Sequence, residues 1–138
     1  MNKEEIQNAL ARATDGLLMH SEIEAPFEVV FHSLRPGQQF GPEAVAEWAG
    51  KPSGMAVETK ELEQFMDEMK GISTDARQEG SMAYRYQKLV QTLHQLLRDV
   101  KVYCITQIGT EVFILGKTEA GDYAGLRTMV VHDQATIN

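Results

Sequence analysis

A chain of 138 residues is the size of one ordinary domain, and with 43% apolar residues it can close a core without a disulfide or a metal staple. Thirteen basic against twenty acidic residues leave a net charge of −7, the opposite of the clustered Lys and Arg with which nucleic-acid binders neutralise phosphates. No stretch approaches the ~20 apolar residues of a spanning helix, and the start, Met1-Asn2-Lys3-Glu4-Glu5, lacks the regions of a signal peptide, so a soluble protein of the cytoplasm is expected.

The single cysteine, Cys104, cannot bridge internally; within the apolar run 100–105 it reads as a small buried hydrophobe in a reducing compartment. The acidity has two readings. It keeps a soluble protein dispersed, or it complements a basic partner and speeds encounter. Composition alone does not choose between them.

Residues 2–14 predict an amphipathic helix, with Asn2 and Glu5 in capping-box spacing and Ile6, Leu10 and Ala13 on one face. Asp15-Gly16 ends it, and the polar second half of 17–26 predicts an exposed connection. Residues 27–34 alternate, with Phe27, Val29 and Phe31 on one face, and predict a strand broken at Arg35-Pro36-Gly37. Pro42 suits the first turn of a helix reaching Trp48, followed by a loop over 50–54 and a short strand over 55–58. Thr59 is expected to cap the next helix, where Leu62, Phe65, Met66 and Met69 form an apolar stripe before Gly71 stops it.

Residues 71–81 carry little apolar pattern and predict an exposed loop or a weak helical start. Tyr86, Leu89, Val90, Leu93, Leu96 and Leu97 then mark the strongest helix, over 82–98. Past Asp99 the residues become β-branched and aromatic, and strands over 100–106, 111–117 and 123–131, with turns at Gly109 and 119–122, predict an antiparallel meander. Helices ahead of a terminal meander, with one earlier strand, argue for an α+β fold in a single domain.

No chemistry assembles from motifs. The glycines lie singly, without the Lys and strand–turn–helix setting of a phosphate loop, and one cysteine cannot build the usual zinc site. The histidines (His20, His32, His94 and His132) are scattered, so no enzyme activity and no cofactor is expected. One cluster stands apart: His20, Glu22 and Glu24, alternate positions that would project to one side of an extended segment. It reads first as a solvated connection, then as a metal or acid/base site, or as an acidic contact surface for a cationic partner.

The segment 13–29 (Ala-Thr-Asp-Gly-Leu-Leu-Met-His-Ser-Glu-Ile-Glu-Ala-Pro-Phe-Glu-Val) closely resembles the corresponding segment of the nuclease A inhibitor family. So do Tyr86-Gln87-Lys88-Leu89 and the block 112–128, which looks like the family's final hairpin; order and spacing agree across about residues 5–132. The resemblance implies a three-layer α/β/α sandwich with a mainly antiparallel sheet. It also implies a function, because the founding member plugs a sugar-non-specific, magnesium-dependent nuclease. A nuclease groove must be basic, so an acidic plug can compete by mimicking phosphate charge. The partner is then the nuclease, with no direct binding to nucleic acid or membrane.

Residue by residue, the resemblance carries over unevenly. The family glutamate that meets an arginine of the nuclease active site corresponds to Glu22, with Ser21 matching before it and Glu24 on the same acidic edge. The family's Asp-Trp pair before the long helix is Asp75-Ala76 here, so the aspartate remains and an aromatic contact is lost. The founding member ends in a threonine whose hydroxyl and terminal carboxylate reach toward the nuclease's magnesium. Asp133 takes that place here, and its carboxylate suits a hard cation, while Thr136 is nearby but out of register. The competing reading makes 133–138 a flexible extension with no role. Three functions therefore stand: a nuclease inhibitor, a module of the same fold with another partner or a small ligand, and a hydrolytic or metal-dependent enzyme using His20, Glu22 and Glu24.

Overall fold

The protein, seen in a computed structural model, is described over residues 2–21, 23–52, 54–70 and 76–131, with backbone alone at Lys70 and over 76–83. The capping box forms as the spacing predicts. Asn2 Oδ1 accepts from the Glu5 amide at 2.8 Å and Glu5 Oε1 accepts from the Asn2 amide at 3.0 Å. Helix α1 (Lys3–Thr14) thus starts with two otherwise orphaned amides satisfied, and it buries Ile6 and Leu10.

Strands β1 (Leu18–His20) and β2 (Glu24–Pro26) follow and pair as a small antiparallel ribbon. The expected exposed connection over 17–26 is therefore half wrong. Alternation buries Met19 and Ala25 while their neighbours stay outward, because a polar strand edge needs only every second residue apolar. Next come β3 (Glu28–His32), α2 (Pro42–Trp48) and β4 (Glu58–Glu61). Thr59 does not cap a helix. It lies in β4 opposite Tyr103, where a β-branched residue fits, and α3 (Leu62–Lys70) begins as the strand ends.

Helix α4 (Ala76–Leu96) starts six residues before the apolar stripe predicts and ends two before the predicted close. Strands β5 (Arg98–Thr106), β6 (Thr110–Lys117) and β7 (Tyr123–Val130) form the meander. The helix-to-strand change happens within two residues. Asp99 takes φ 53°, a left-handed conformation that Asp tolerates, and the β5–β6 register shifts between Arg98 and Lys101.

The main sheet is antiparallel throughout, in the order β3-β7-β6-β5-β4. Its two faces collect different side chains, as a period of two requires. On one face Val102, Cys104, Val112, Ile114 and Leu126 meet the apolar stripes of α1, α3 and α4. On the other, Tyr103, Ile105, Phe113 and Leu115 meet Val45 of α2, with Phe40 and Trp48 packed against them. Helices on both faces of an antiparallel sheet give the α+β architecture in three layers. No helix among the described residues is long and apolar enough to cross a membrane.

Candidate functional site

The β1–β2 ribbon brings the acidic cluster to one end of the molecule, with a geometry other than that expected. His20 and Glu24 do not lie in line along one extended strand. The chain doubles back between them, so they face each other across the ribbon, with His20 Nδ1 3.7 Å from Glu24 Oε1. Glu22, between Ser21 and Ile23 in sequence, lies outside the described residues, as do Asp75, His132, Asp133 and Thr136. Its neighbours are described. The Ser21 amide donates to the Ile23 carbonyl at 2.9 Å, which closes the tip.

Ser21 has a second task. Its hydroxyl accepts from the Val131 amide at 2.9 Å and donates to the Ile23 carbonyl at 3.3 Å. That stitches the ribbon tip to the residue just past β7, joining positions 110 apart in sequence. Three further contacts anchor the ribbon. Met19 is fully buried in the core. Thr128 Oγ1 on β7 donates to the Pro26 carbonyl at 3.0 Å, and the Tyr86 hydroxyl on α4 donates to the Leu18 carbonyl at 2.5 Å.

Burial pushes the Tyr86 phenol up to about 12, so it remains a donor throughout the physiological range. Read from sequence, Tyr86 is one member of a helical apolar stripe; nothing in the spacing shows that its hydroxyl clamps a strand 68 positions earlier. Tyr86→Phe is expected to lower unfolding free energy by about 1–2 kcal/mol, since the Leu18 carbonyl loses its partner. Urea unfolding of the two proteins checks this, and equal midpoints would show that the clamp carries no energy.

The turn between β5 and β6 completes this end of the sheet. A Cβ built on Gly109 would stand 3.2 Å from Val131 Cγ2 and 3.3 Å from Met129 Cε, so the turn packs against the end of β7. Beside it opens a cleft of about 460 Å³ lined by Glu58, Lys60, Phe65, Glu68, Met69 and Val130, among others. Lys60 Nζ donates to Glu68 Oε1 at 2.8 Å, and that bond raises the lysine pKa. Cys104, which also lines the cleft, is 6% exposed, and burial lifts its thiol to about 11. It stays protonated and behaves as the small hydrophobe that the sequence predicts.

Among the described residues no group of three His, Cys, Asp or Glu side chains could hold a metal ion. His94 Nε2 lies 3.0 Å from Glu63 Oε2, an exposed pair away from the ribbon. His32 stacks on Trp48 with ring centroids 4.7 Å apart, and burial lowers its pKa. That pair sits where His32 opposes Tyr123 at the start of β7, the opposite end of the sheet from Val131. Trp48 thus belongs to the packing of the α2 layer, as its place on a helix predicts.

The ribbon tip, the end of β7, the β5–β6 turn and the last buried residue of α3 are therefore neighbours at one end of the molecule. The ribbon and the end of β7 adjoin in sequence the segments in which the resemblance puts Glu22 and Asp133, and α3 precedes the one in which it puts Asp75. None of the curated proteins compared with the chain matches it. The sequence model of the nuclease A inhibitor-like proteins matches residues 4–133, nearly its whole length, and the chain belongs to that family.

Proposed function

We propose that this protein is a cytoplasmic inhibitor of a sugar-non-specific, magnesium-dependent nuclease, plugging the enzyme's basic active site with carboxylates from the end of the sheet just described. Family membership over residues 4–133 supports the reading, as does the net charge of −7. The observation that carries it is the 2.9 Å bond from the Val131 amide to Ser21 Oγ. It holds side by side the ribbon tip, where Glu22 belongs, and the strand end from which Asp133 and Thr136 follow. Two segments far apart in sequence can then act as one surface.

In this reading Glu22 meets an active-site arginine, Glu24 adds to the local negative potential and Asp75 contributes from the segment before α4. Asp133 approaches the partner's magnesium, with Thr136 beside it, and the protein holds no metal of its own. Ser21 acts chiefly by positioning, because its hydroxyl is committed within the chain.

Purified protein titrated against DNA cleavage by such a nuclease should abolish activity near one-to-one. Cleavage that persists at large excess would favour a second reading, a binding module of the same fold with another partner. Ala76, standing where the family carries tryptophan, favours that alternative. Trp48 cannot substitute, since it is stacked at the other end of the sheet.

A further inference from the structure

We infer that Ile108 is an apolar anchor of this partner-facing end, seating on an apolar shelf at the rim of the nuclease's basic groove; the inference rests on the inhibitor reading above. Ile108 is 99% exposed, far beyond the other exposed large hydrophobics among the described residues, Tyr84 at 61% and Ile23 at 42%. A lone surface isoleucine is ordinary. The framework that holds this one is not.

The turn is closed by the Gln107 amide donating to the Gly109 carbonyl at 2.9 Å, and the Thr106 and Thr110 hydroxyls lie 3.1 Å apart beneath it. From the α2 side, Lys51 Nζ reaches Gln107 Oε1 at 3.1 Å and Glu111 Oε1 at 3.2 Å, gripping both shoulders of the turn. Gly109 rests on Val131 and Met129. A β-branched side chain, stiff at χ1, is thus held out in water on a braced turn, so little order remains to be imposed when a partner covers it.

Its location supplies the partner. Ile108 is followed by Gly109, which packs on Val131; Val131 is bonded to Ser21 of the ribbon, and Ile23 beyond it is exposed. The acidic tip is therefore flanked by apolar side chains, and the cleft beside Ile108 makes a ridge next to a hollow. Charge alone steers encounter and favours the right partner. Long residence needs a desolvated apolar contact that slows dissociation. Ile108 provides that contact beside the ribbon end.

The test measures binding of Ile108→Ala to the magnesium-loaded nuclease of the cleavage titration, beside the unsubstituted protein and Glu22→Gln, at low and high salt. Removing three carbons from the contact should weaken binding about 50-fold, mostly through faster dissociation. The factor should be the same at both salts, whereas that for Glu22→Gln should shrink as salt rises. The melting temperature should not move, because the side chain is 99% exposed in the free protein. Binding by the unsubstituted protein together with an Ile108→Ala affinity within about twofold of it overturns the anchor alone. No binding by the unsubstituted protein overturns the inhibitor reading, and the anchor with it.

Discussion

An alanine at position 125 is expected to deprive the protein of its native state. Gly125 lies in β7 opposite Leu115 of β6, in the middle of the meander. A Cβ there would stand 1.8 Å from the Ile114 carbonyl oxygen and 2.9 Å from its carbon. Both are backbone atoms of a central strand, so no side-chain rotation relieves the clash. The strands would have to separate, breaking ladder bonds between two elements that both pack on the core. The expected loss exceeds about 4 kcal/mol, a large part of a small domain's whole stability.

The same change at two other glycines calibrates the claim. At Gly116 the added carbon would meet Leu97 Cβ at 2.7 Å and Val100 Cγ2 at 2.9 Å, a core clash that a shift of the α4–β5 junction can partly absorb. At Gly109 it would meet the side chains of Val131 and Met129 at 3.2 and 3.3 Å, and the Val130 carbonyl oxygen at an ordinary 3.6 Å. Urea unfolding followed by circular dichroism should therefore rank Gly109→Ala mildest and Gly125→Ala worst. A Gly125→Ala protein with a native-like midpoint would show that β6 and β7 can part at little cost.

The capping box, the apolar stripes of α1, α3 and α4, and the alternating strands of the meander are all legible in the sequence, because each is a local pattern with its own period. The same locality explains the errors. The ribbon at 18–26 looks polar because one face of a short strand can be, and Met19 is buried through its tertiary neighbours rather than through its neighbours in sequence. Thr59 offers a good cap or a good strand residue, and pairing with β5 decides. The onset of β5 carries a left-handed Asp99, a conformation that Asp tolerates but that its presence in a sequence does not announce. Of the candidate site, the acidic residues are visible in sequence but their framework is not. Tyr86 to Leu18, Thr128 to Pro26 and Val131 to Ser21 each join positions at least 68 apart, and each pairs a side chain with backbone, which has no sequence signature.

That framework decides what a substitution at the tip should do. Glu22→Ala is expected to weaken the nuclease complex by about 2–5 kcal/mol, much of it the cost of leaving a partner guanidinium buried and unpaired. The free protein should be unaffected. The ribbon is held by Met19, Tyr86, Thr128 and Ser21, and none of these contacts involves the side chain at 22. Glu22→Gln keeps the shape and removes the charge, so its deficit reports the electrostatic part and should narrow as added salt screens it. Ser21→Ala acts differently. It leaves the carboxylate in place but unties the tip from Val131, so the tip must be ordered at binding, and its smaller loss should come with a lower unfolding midpoint. Isothermal titration at two salt concentrations, beside urea unfolding of each variant, separates these effects. Wild-type affinity in both Glu22 variants, with inhibition intact, would remove Glu22 from the contact and transfer the search for the arginine's partner to Glu24 and Asp75.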